Sequence, residues 1–313
     1  MRLNIGSLCA FLMLVTLSAC AGQNKLEEGK KALEKKAYEA AEKLFGEALK
    51  EGVSGADEAE AYWGRGKSRL ELGKAEPAGA DFEQAVQKAI AGGVTDSVLG
   101  KYLFGRGTAK FARIQFSQAA VDFLKARDLQ YDVPNSQAWY GVSLGNADQP
   151  VEAIQALTKA MELDPNNHYA VSNRGFYNAL LGDNSSALSD LTKAIALKAD
   201  DKLSMVNRGY TYVGMGEFEK AIVDFQAALA IDENDQSAIM YMGIAYTNSG
   251  QNEKALPWLD KAIANDPDDS ALYYYRGVCR LNLGQKDGAC EDLREAFERG
   301  SIQGVRLMEE TCE

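Results

Sequence analysis

The sequence is poor in the residues from which metal sites and hydrolytic sites are usually built. Histidine occurs once, at His168, and there is no HExxH segment, phosphate-binding glycine loop or spaced set of Cys and His for zinc. The acidic segments DENDQS and DPDDSA lack the glycine and the ligand spacing of a calcium loop. We therefore expect no catalytic residues, no metal or other cofactor, and no small-molecule substrate.

Proline is also scarce, and basic residues are outnumbered by acidic ones. Only 6 of the 313 residues are proline, whereas Ala, Leu, Glu and Lys are abundant, and this composition favours α-helix. The formal net charge is -11. Because an acidic surface repels phosphates, we expect no nucleic-acid partner.

The apolar run near the N-terminus, about residues 5–17, is too short to span a bilayer and has the form of a signal-peptide core. It ends in Leu17-Ser18-Ala19-Cys20, which resembles the lipobox of bacterial lipoproteins. The resemblance implies a signal peptide over residues 1–19, a lipidated Cys20 and a tether over residues 20–24. An ordinary cleavable signal followed by an incidental Cys is the alternative.

The same resemblance implies a location in the envelope of a Gram-negative-type bacterium. Acyl chains such as palmitate on Cys20 would anchor the chain firmly, because each buried methylene contributes roughly 0.8 kcal/mol. Residue 21 is Ala, whereas an Asp there would resemble the inner-membrane retention signal of enteric bacteria. We therefore expect attachment to the outer membrane, facing the periplasm.

The rest of the chain is internally repeated. A glycine recurs with a period of 34 residues from Gly107 to Gly277, and Gly66 and Gly29 extend the series with spacings of 41 and 37. Small residues follow at fixed distances, and a Phe or Leu lies 16 residues after each glycine, from Phe45 to Leu293. With the glycine counted as repeat position 8, the small residues are at positions 20 and 27 and the large one is at position 24.

This pattern resembles the tetratricopeptide repeat, a helix-turn-helix unit of 34 residues, over roughly residues 22 to 303. The resemblance implies an all-α fold, an α-α superhelix of about eight repeats, in which each unit buries its apolar face against its neighbours. The expected segments are repeats 1–2 at residues 22–92, a loop at 93–99, repeats 3–8 at 100–303 and a C-terminal capping helix at 301–313.

Arginine at repeat position 7 and aspartate at position 23 are present together or absent together. Such co-variation suggests contact, and the two positions lie at one level of an antiparallel hairpin. We predict five ion pairs within repeats. They are Arg65 with Asp81, Arg106 with Asp122, Arg174 with Asp190, Arg208 with Asp224, and Arg276 with Asp292.

The cysteines of the last repeat suggest a further constraint. Cys290 starts the last repeat's second helix, and Cys312 ends the predicted capping helix. Two antiparallel helices would bring these ends together, and export permits oxidation. We predict a Cys290–Cys312 disulfide, and we interpret Cys279 as a buried thiol.

Function is predicted from the family's concave face, which uses repeat positions 2, 5, 9, 12 and 13. In repeats 5 to 8 these positions form an apolar and aromatic stripe, which predicts a groove for a protein or peptide. The predicted groove residues are Tyr169, Phe176, Leu180, Leu203, Val206, Tyr210, Met240, Ile244, Tyr274 and Val278. Lys30, Lys67 and Lys101 do not reproduce the carboxylate clamp of chaperone-binding relatives.

The leading interpretation is therefore a lipid-anchored adaptor that binds another envelope protein. One alternative is a structural, self-assembling solenoid. Another is a hydrolase at Gly141-Val142-Ser143-Leu144-Gly145, which matches GxSxG but lies within a predicted repeat helix. We expect no enzyme activity.

Overall fold

The computed structural model describes the backbone of residues 5–312 and the side chains of residues 20–312. Of the predicted signal peptide, residues 1–4 lie outside the described residues, and residues 5–19 are described by their backbone alone, as part of α1. Within the described range the chain is helical and contains no β-strand. The helices are α1 (Ile5–Glu34), α2 (Tyr38–Lys50), α3 (Ala56–Glu71), α4 (Ala75–Ala91), α5 (Ser97–Ala112), α6 (Phe116–Asp128), α7 (Val133–Asn146), α8 (Pro150–Leu163), α9 (His168–Leu180), α10 (Asn184–Leu197), α11 (Lys202–Gly214), α12 (Phe218–Ile231), α13 (Gln236–Asn248), α14 (Asn252–Asn265), α15 (Ser270–Asn282), α16 (Lys286–Glu298) and α17 (Ile302–Cys312).

Consecutive helices pair into antiparallel hairpins, from α1–α2 to α15–α16, and α17 packs on α16. The chain divides into two compact units, unit 1 up to Ala170 and unit 2 from Val171 onward. In each unit the hairpins pack in sequence order, as expected where one helical pair cannot bury its apolar face alone. The predicted all-α fold of helix-turn-helix repeats is confirmed.

None of the described helices has the length and apolar character needed to cross a membrane.

Some predicted segment limits differ from the observed ones. The loop predicted at 93–99 is shorter, because α5 already begins at Ser97, where the Asp96 side chain accepts a hydrogen bond from the backbone N–H of Val98 at 2.9 Å. The tether predicted at 20–24 is helical and belongs to α1. The capping helix spans Ile302–Cys312.

The repeat glycines set the distance between the two helices of a hairpin. A Cβ atom added at Gly209 would lie 2.5 Å from a ring carbon of Phe225, and one added at Gly243 would lie 2.8 Å from Leu259. The large residue at position 24 is almost completely buried in every repeat, as are the alanines at positions 20 and 27. The core of each hairpin therefore consists of one large side chain enclosed by small ones.

The Arg–Asp pairs form a second regular feature. In all five, the arginine Nε and Nη2 donate to the two carboxylate oxygens of one aspartate at 2.6–2.9 Å. The aspartates are buried, with at most 4% of their surface exposed. The hydrogen bonds that Arg208 donates to Asp224 raise the pKa of Arg208 above its usual value. Such bidentate bonds compensate the loss of hydration of both charges.

Further hydrogen bonds extend these pairs. A basic residue at repeat position 11 reaches the same aspartate in three repeats, for example Lys110 Nζ at 2.7 Å from Asp122. In three of the five pairs the remaining arginine nitrogen donates to the preceding repeat, as Arg106 Nη1 does to Glu83 at 3.0 Å. Each of these three pairs thus joins three helices.

A Gly209→Ala substitution should destabilise the protein by about 1–3 kcal/mol, because the added methyl group would displace the enclosed Phe225 ring. Gly214→Ala in the same helix is the control, since no atom lies within 4 Å of its added Cβ. There, replacing glycine should leave stability unchanged or raise it by up to about 1 kcal/mol. The measurement is urea unfolding followed by circular dichroism. Equal effects at both positions would contradict the close-packing role of Gly209.

An Arg208→Met substitution should destabilise by about 3 kcal/mol, because it leaves the buried Asp224 carboxylate without its main partner. Arg306→Met should have an effect of only ~0–1 kcal/mol, because the Arg306–Glu310 pair is largely exposed. The double variant Arg208→Met/Asp224→Leu should recover part of the lost stability, because it no longer buries an unpaired carboxylate. Chemical unfolding of the three variants tests this, and an unaltered stability of Arg208→Met would refute the buried-pair interpretation.

Candidate functional site

The candidate site is the surface that the first helices of the repeats present in unit 2, on α9, α11, α13 and α15. We call the residues of this unit at repeat positions 2, 5, 9, 12 and 13 the A-helix face of unit 2. They are Ser172, Phe176, Ala179, Leu180, Leu203, Val206, Tyr210, Val213, Gly214, Ser237, Met240, Ile244, Thr247, Asn248, Ala271, Tyr274, Val278, Leu281 and Asn282.

The helical period explains why this face remains available. In α11, Gly209 packs on Phe225 of α12, whereas Leu203, Val206 and Tyr210 share a different stripe at spacings of three and four residues. They therefore depend on the neighbouring first helices, or on a partner, for burial.

A cleft of about 350 Å³ lies on this face between α9, α11 and α13. Its apolar walls include four large side chains that keep much of their surface exposed: Phe176 at 38%, Leu180 at 58%, Leu203 at 59% and Tyr210 at 44%. Exposed apolar residues that occur singly are ordinary, but a contiguous concave group marks a binding surface. The remaining lining residues are Ala179, Val206, Asn207, Asp235, Ser237 and Tyr241.

The charges at the rim of the cleft are already paired. Asp235 caps α13 by accepting a hydrogen bond from the backbone N–H of Ala238 at 2.8 Å, and its carboxylate is 2.8 Å from Lys202 Nζ. Lys202 also donates to Asp232 at 2.8 Å. These bonds hold the pKa of Asp232 below its usual value and raise the pKa of Lys202. Lys202 is thus shared between the two carboxylates, and none of the three groups lacks a partner.

The predicted groove residues have different environments. Phe176, Leu180, Leu203, Val206 and Tyr210 line the cleft. Val206 and Ile244 are largely buried, at 5% and 7% exposure. Met240, Tyr274 and Val278 are half-buried, and Met240 lines a separate cleft of about 180 Å³. Tyr169 belongs to unit 1, where its ring centroid is 4.8 Å from that of Trp139.

Sequence reasoning did not identify Tyr241 and Asn207, which both lie at repeat position 6. The Tyr241 ring is 5.2 Å from that of Tyr210 and stacks on Phe225 at 5.8 Å, so it connects the cleft wall to the core. Position 6 lies between the two stripes of the first helix. A search restricted to the family's face positions therefore excludes it.

In unit 1 the same repeat positions carry charges. Lys101 donates to both carboxylate oxygens of Glu60 at 2.8 Å, and its Nζ lies 3.8 Å from the ring centroid of Trp63. Lys67 Nζ is 5.3 Å from the same centroid. Tyr102 also donates to Glu60, and burial raises its pKa. This surface is a mixed arrangement of charged and aromatic groups, unlike the cleft of unit 2.

The GxSxG segment lies inside α7. Gly141 is a repeat glycine that packs against Leu157, and Ser143 is completely buried. The hydrolase motif requires a sharp strand-to-helix turn that exposes the serine. The geometry at Ser143 is that of a core residue in a repeat helix.

Three cysteines belong to the last repeat and the capping helix. Cys290 and Cys312 form a disulfide that joins α16 to α17. Cys279 is buried, with its Sγ 3.3 Å from the carbonyl oxygen of Asn252, and burial raises the pKa of its thiol. Cys20 is exposed.

Comparison with known sequences agrees with the repeat pattern. Tetratricopeptide repeat profiles match residues 26–93, 212–277 and 271–299. No curated protein has a sequence that matches the chain.

Several solved structures have a similar fold. The crystal structure of the APC/C hetero-tetramer Cut9-Hcn1 contains a chain that matches with a TM-score of 0.67 and 17% identity, over 88% of this chain and 53% of that chain. A tetratricopeptide repeat protein from Parabacteroides merdae gives 0.57 and 16%, over 82% and 99% of the two chains. The pilF structure from Pseudomonas aeruginosa gives 0.59 and 17%, over 67% and 97%. This chain thus spans about half the length of the first relative, and identities this low show the fold alone.

Proposed function

We propose that this chain, a tetratricopeptide repeat protein, is a membrane-anchored adaptor that binds a segment of another cell-envelope protein through the A-helix face of unit 2. The observation that carries the proposal is the cleft formed by Phe176, Leu180, Leu203 and Tyr210. These side chains are contiguous, concave and partly exposed. An exposed apolar surface of this kind is typical of a site that a partner covers.

The cleft favours a polypeptide over a small molecule. Its volume of about 350 Å³ is near the lower limit for ligand pockets, and it opens along the row of first helices. A side chain of a bound segment could occupy the cleft while the segment's backbone continues along α13 and α15. Asn207 and Ser237 at the cleft could form hydrogen bonds with that backbone.

The membrane anchor is supported by the sequence of the N-terminal region. The Leu17-Ser18-Ala19-Cys20 segment matches the lipobox pattern, and Cys20 is exposed at its position in α1. Lipidation there would attach the repeats to the outer membrane on its periplasmic side. The partner would then be a protein that is accessible at that surface.

A photo-crosslinker tests the binding face. With p-benzoyl-phenylalanine in place of Ser237, which lines the cleft, illumination of intact cells should give a discrete crosslinked species. Leu203→Glu should reduce its yield about tenfold or more, because it places an unpaired charge in the apolar contact. The partner is identified by mass spectrometry of the crosslinked species.

The matched control uses Val223 of α12, which is 63% exposed and does not line the cleft. A crosslinker at that position should not give the species, and Val223→Glu should not reduce the yield from position 237. If the species forms equally from Val223, or persists in Leu203→Glu, binding through this face is wrong.

Lipidation is tested by growth with an alkyne analogue of palmitate. The protein should incorporate the label and sediment with outer membranes, and Cys20→Ala should abolish both. Cys279→Ala is the control, because it removes the other free thiol among the described side chains and should retain the label. Persistent labelling of Cys20→Ala would contradict the proposed anchor.

A further inference from the structure

The A-helix face of unit 2 carries no charged residue. None of its members is Asp, Glu, Lys, Arg or His, although Asp, Glu, Lys and Arg make up 25% of the chain. Charged residues normally dominate exposed positions. The exposed members of this face are instead Phe176, Leu180, Leu203, Tyr210 and Gly214, together with the uncharged polar residues Ser237, Asn248 and Asn282.

The corresponding positions of repeats 1 to 3 show that the repeat does not exclude charge there. In unit 1 these positions include both lysines and glutamates, and Glu60 and Lys101 bind each other at 2.8 Å. The charged members are Lys30, Glu34, Glu60, Lys67, Glu71 and Lys101. The lack of charge in unit 2 is therefore a property of that surface and does not follow from the fold.

The arginines of unit 2 do not supply charge to this face either. Arg208 donates to Asp224 of α12 through Nε and Nη2, and its Nη1 donates to Thr192 Oγ1 of α10 at 3.2 Å. Its guanidinium thus lies among second helices. At the rim, Lys202 is held by Asp232 and Asp235, and Asp235 also caps α13, so each of these three charges already has a partner.

A charged side chain that entered the cleft would lose water and find no free counter-charge. The cost of such burial is large, whereas an aliphatic or aromatic side chain gains by leaving water. Uncharged amide and hydroxyl groups nearby can satisfy a peptide backbone, which is itself uncharged. The surface therefore discriminates against both acidic and basic segments.

We infer that the partner segment bound by unit 2 is uncharged and apolar, with a large aliphatic or aromatic side chain inserted between Phe176 and Tyr210, and that segments with a central Asp, Glu, Lys or Arg are rejected. This inference rests on the proposed function and specifies the chemistry of its partner. It distinguishes the surface from one that would capture an acidic tail or a free C-terminal carboxylate.

Peptide display tests the inference without knowledge of the natural partner. A random dodecapeptide library is selected on the immobilised mature chain. Clones that also bind Leu203→Glu are discarded, and clones that no longer bind Val223→Glu are discarded as well. Val223 is the control because its exposure of 63% matches the 59% of Leu203, within the same repeat. The retained peptides are sequenced, and their affinities are measured by fluorescence anisotropy.

The retained peptides should contain an uncharged apolar core, and replacing its central residue by Asp or by Lys should each weaken binding about tenfold or more. Selection on Leu203→Lys should instead enrich acidic residues in the core, because the variant supplies the missing counter-charge. If peptides with charged cores bind the native chain as tightly as peptides with uncharged cores, the inference is wrong, although peptide binding at this face stands. If no clone depends on Leu203, peptide binding at this face is itself wrong, and the inference with it.

Discussion

The close contact between a repeat glycine and the large side chain 16 positions later determines most of this structure. Because the glycine has no Cβ, the ring of Phe225 or the side chain of Leu259 lies directly against the backbone of the first helix. This contact fixes which stripe of the first helix faces its partner. Since a helix has only one such stripe, the remaining apolar side chains must face elsewhere. The A-helix face of unit 2 is thus a consequence of how the hairpins pack.

The Arg–Asp pairs fix the relative position of the two helices in a hairpin, which apolar contacts alone would define less strictly. Each carboxylate is buried and accepts two bonds from one guanidinium, so it fixes the level of one helix against the other. The third arginine nitrogen reaches the preceding repeat in several cases. The pairs thereby connect hairpins as well as helices. They also keep these arginines away from the binding surface.

The fold was largely predictable because it depends on local spacing. Period-34 glycines, alanines at two fixed distances and the Phe or Leu between them specify a hairpin without information from distant residues. The Arg–Asp pairs were predictable for the same reason, since both members lie in one repeat. The limits of the loops were less predictable. Asp96 ends one loop by capping α5, and the sequence offers several residues nearby that could cap a helix equally well.

The candidate site was predictable only in part. Repeat positions indicated which residues face the same way, and five of them line the cleft. They did not indicate that Ile244 would be covered while Leu203 would stay exposed, because that depends on how closely adjacent first helices approach. Nor did they indicate Tyr241, whose ring reaches the cleft from a position between two stripes.

The sequence by itself determined the helices, their pairing, the internal ion pairs and the uncharged character of the face, because all of these follow from residue type at fixed local spacing. Only the tertiary structure decided which apolar side chains remain exposed and where a cleft forms. The physical reason is that exposure is a property of neighbouring repeats packed together, and small differences in side-chain size between repeats change it.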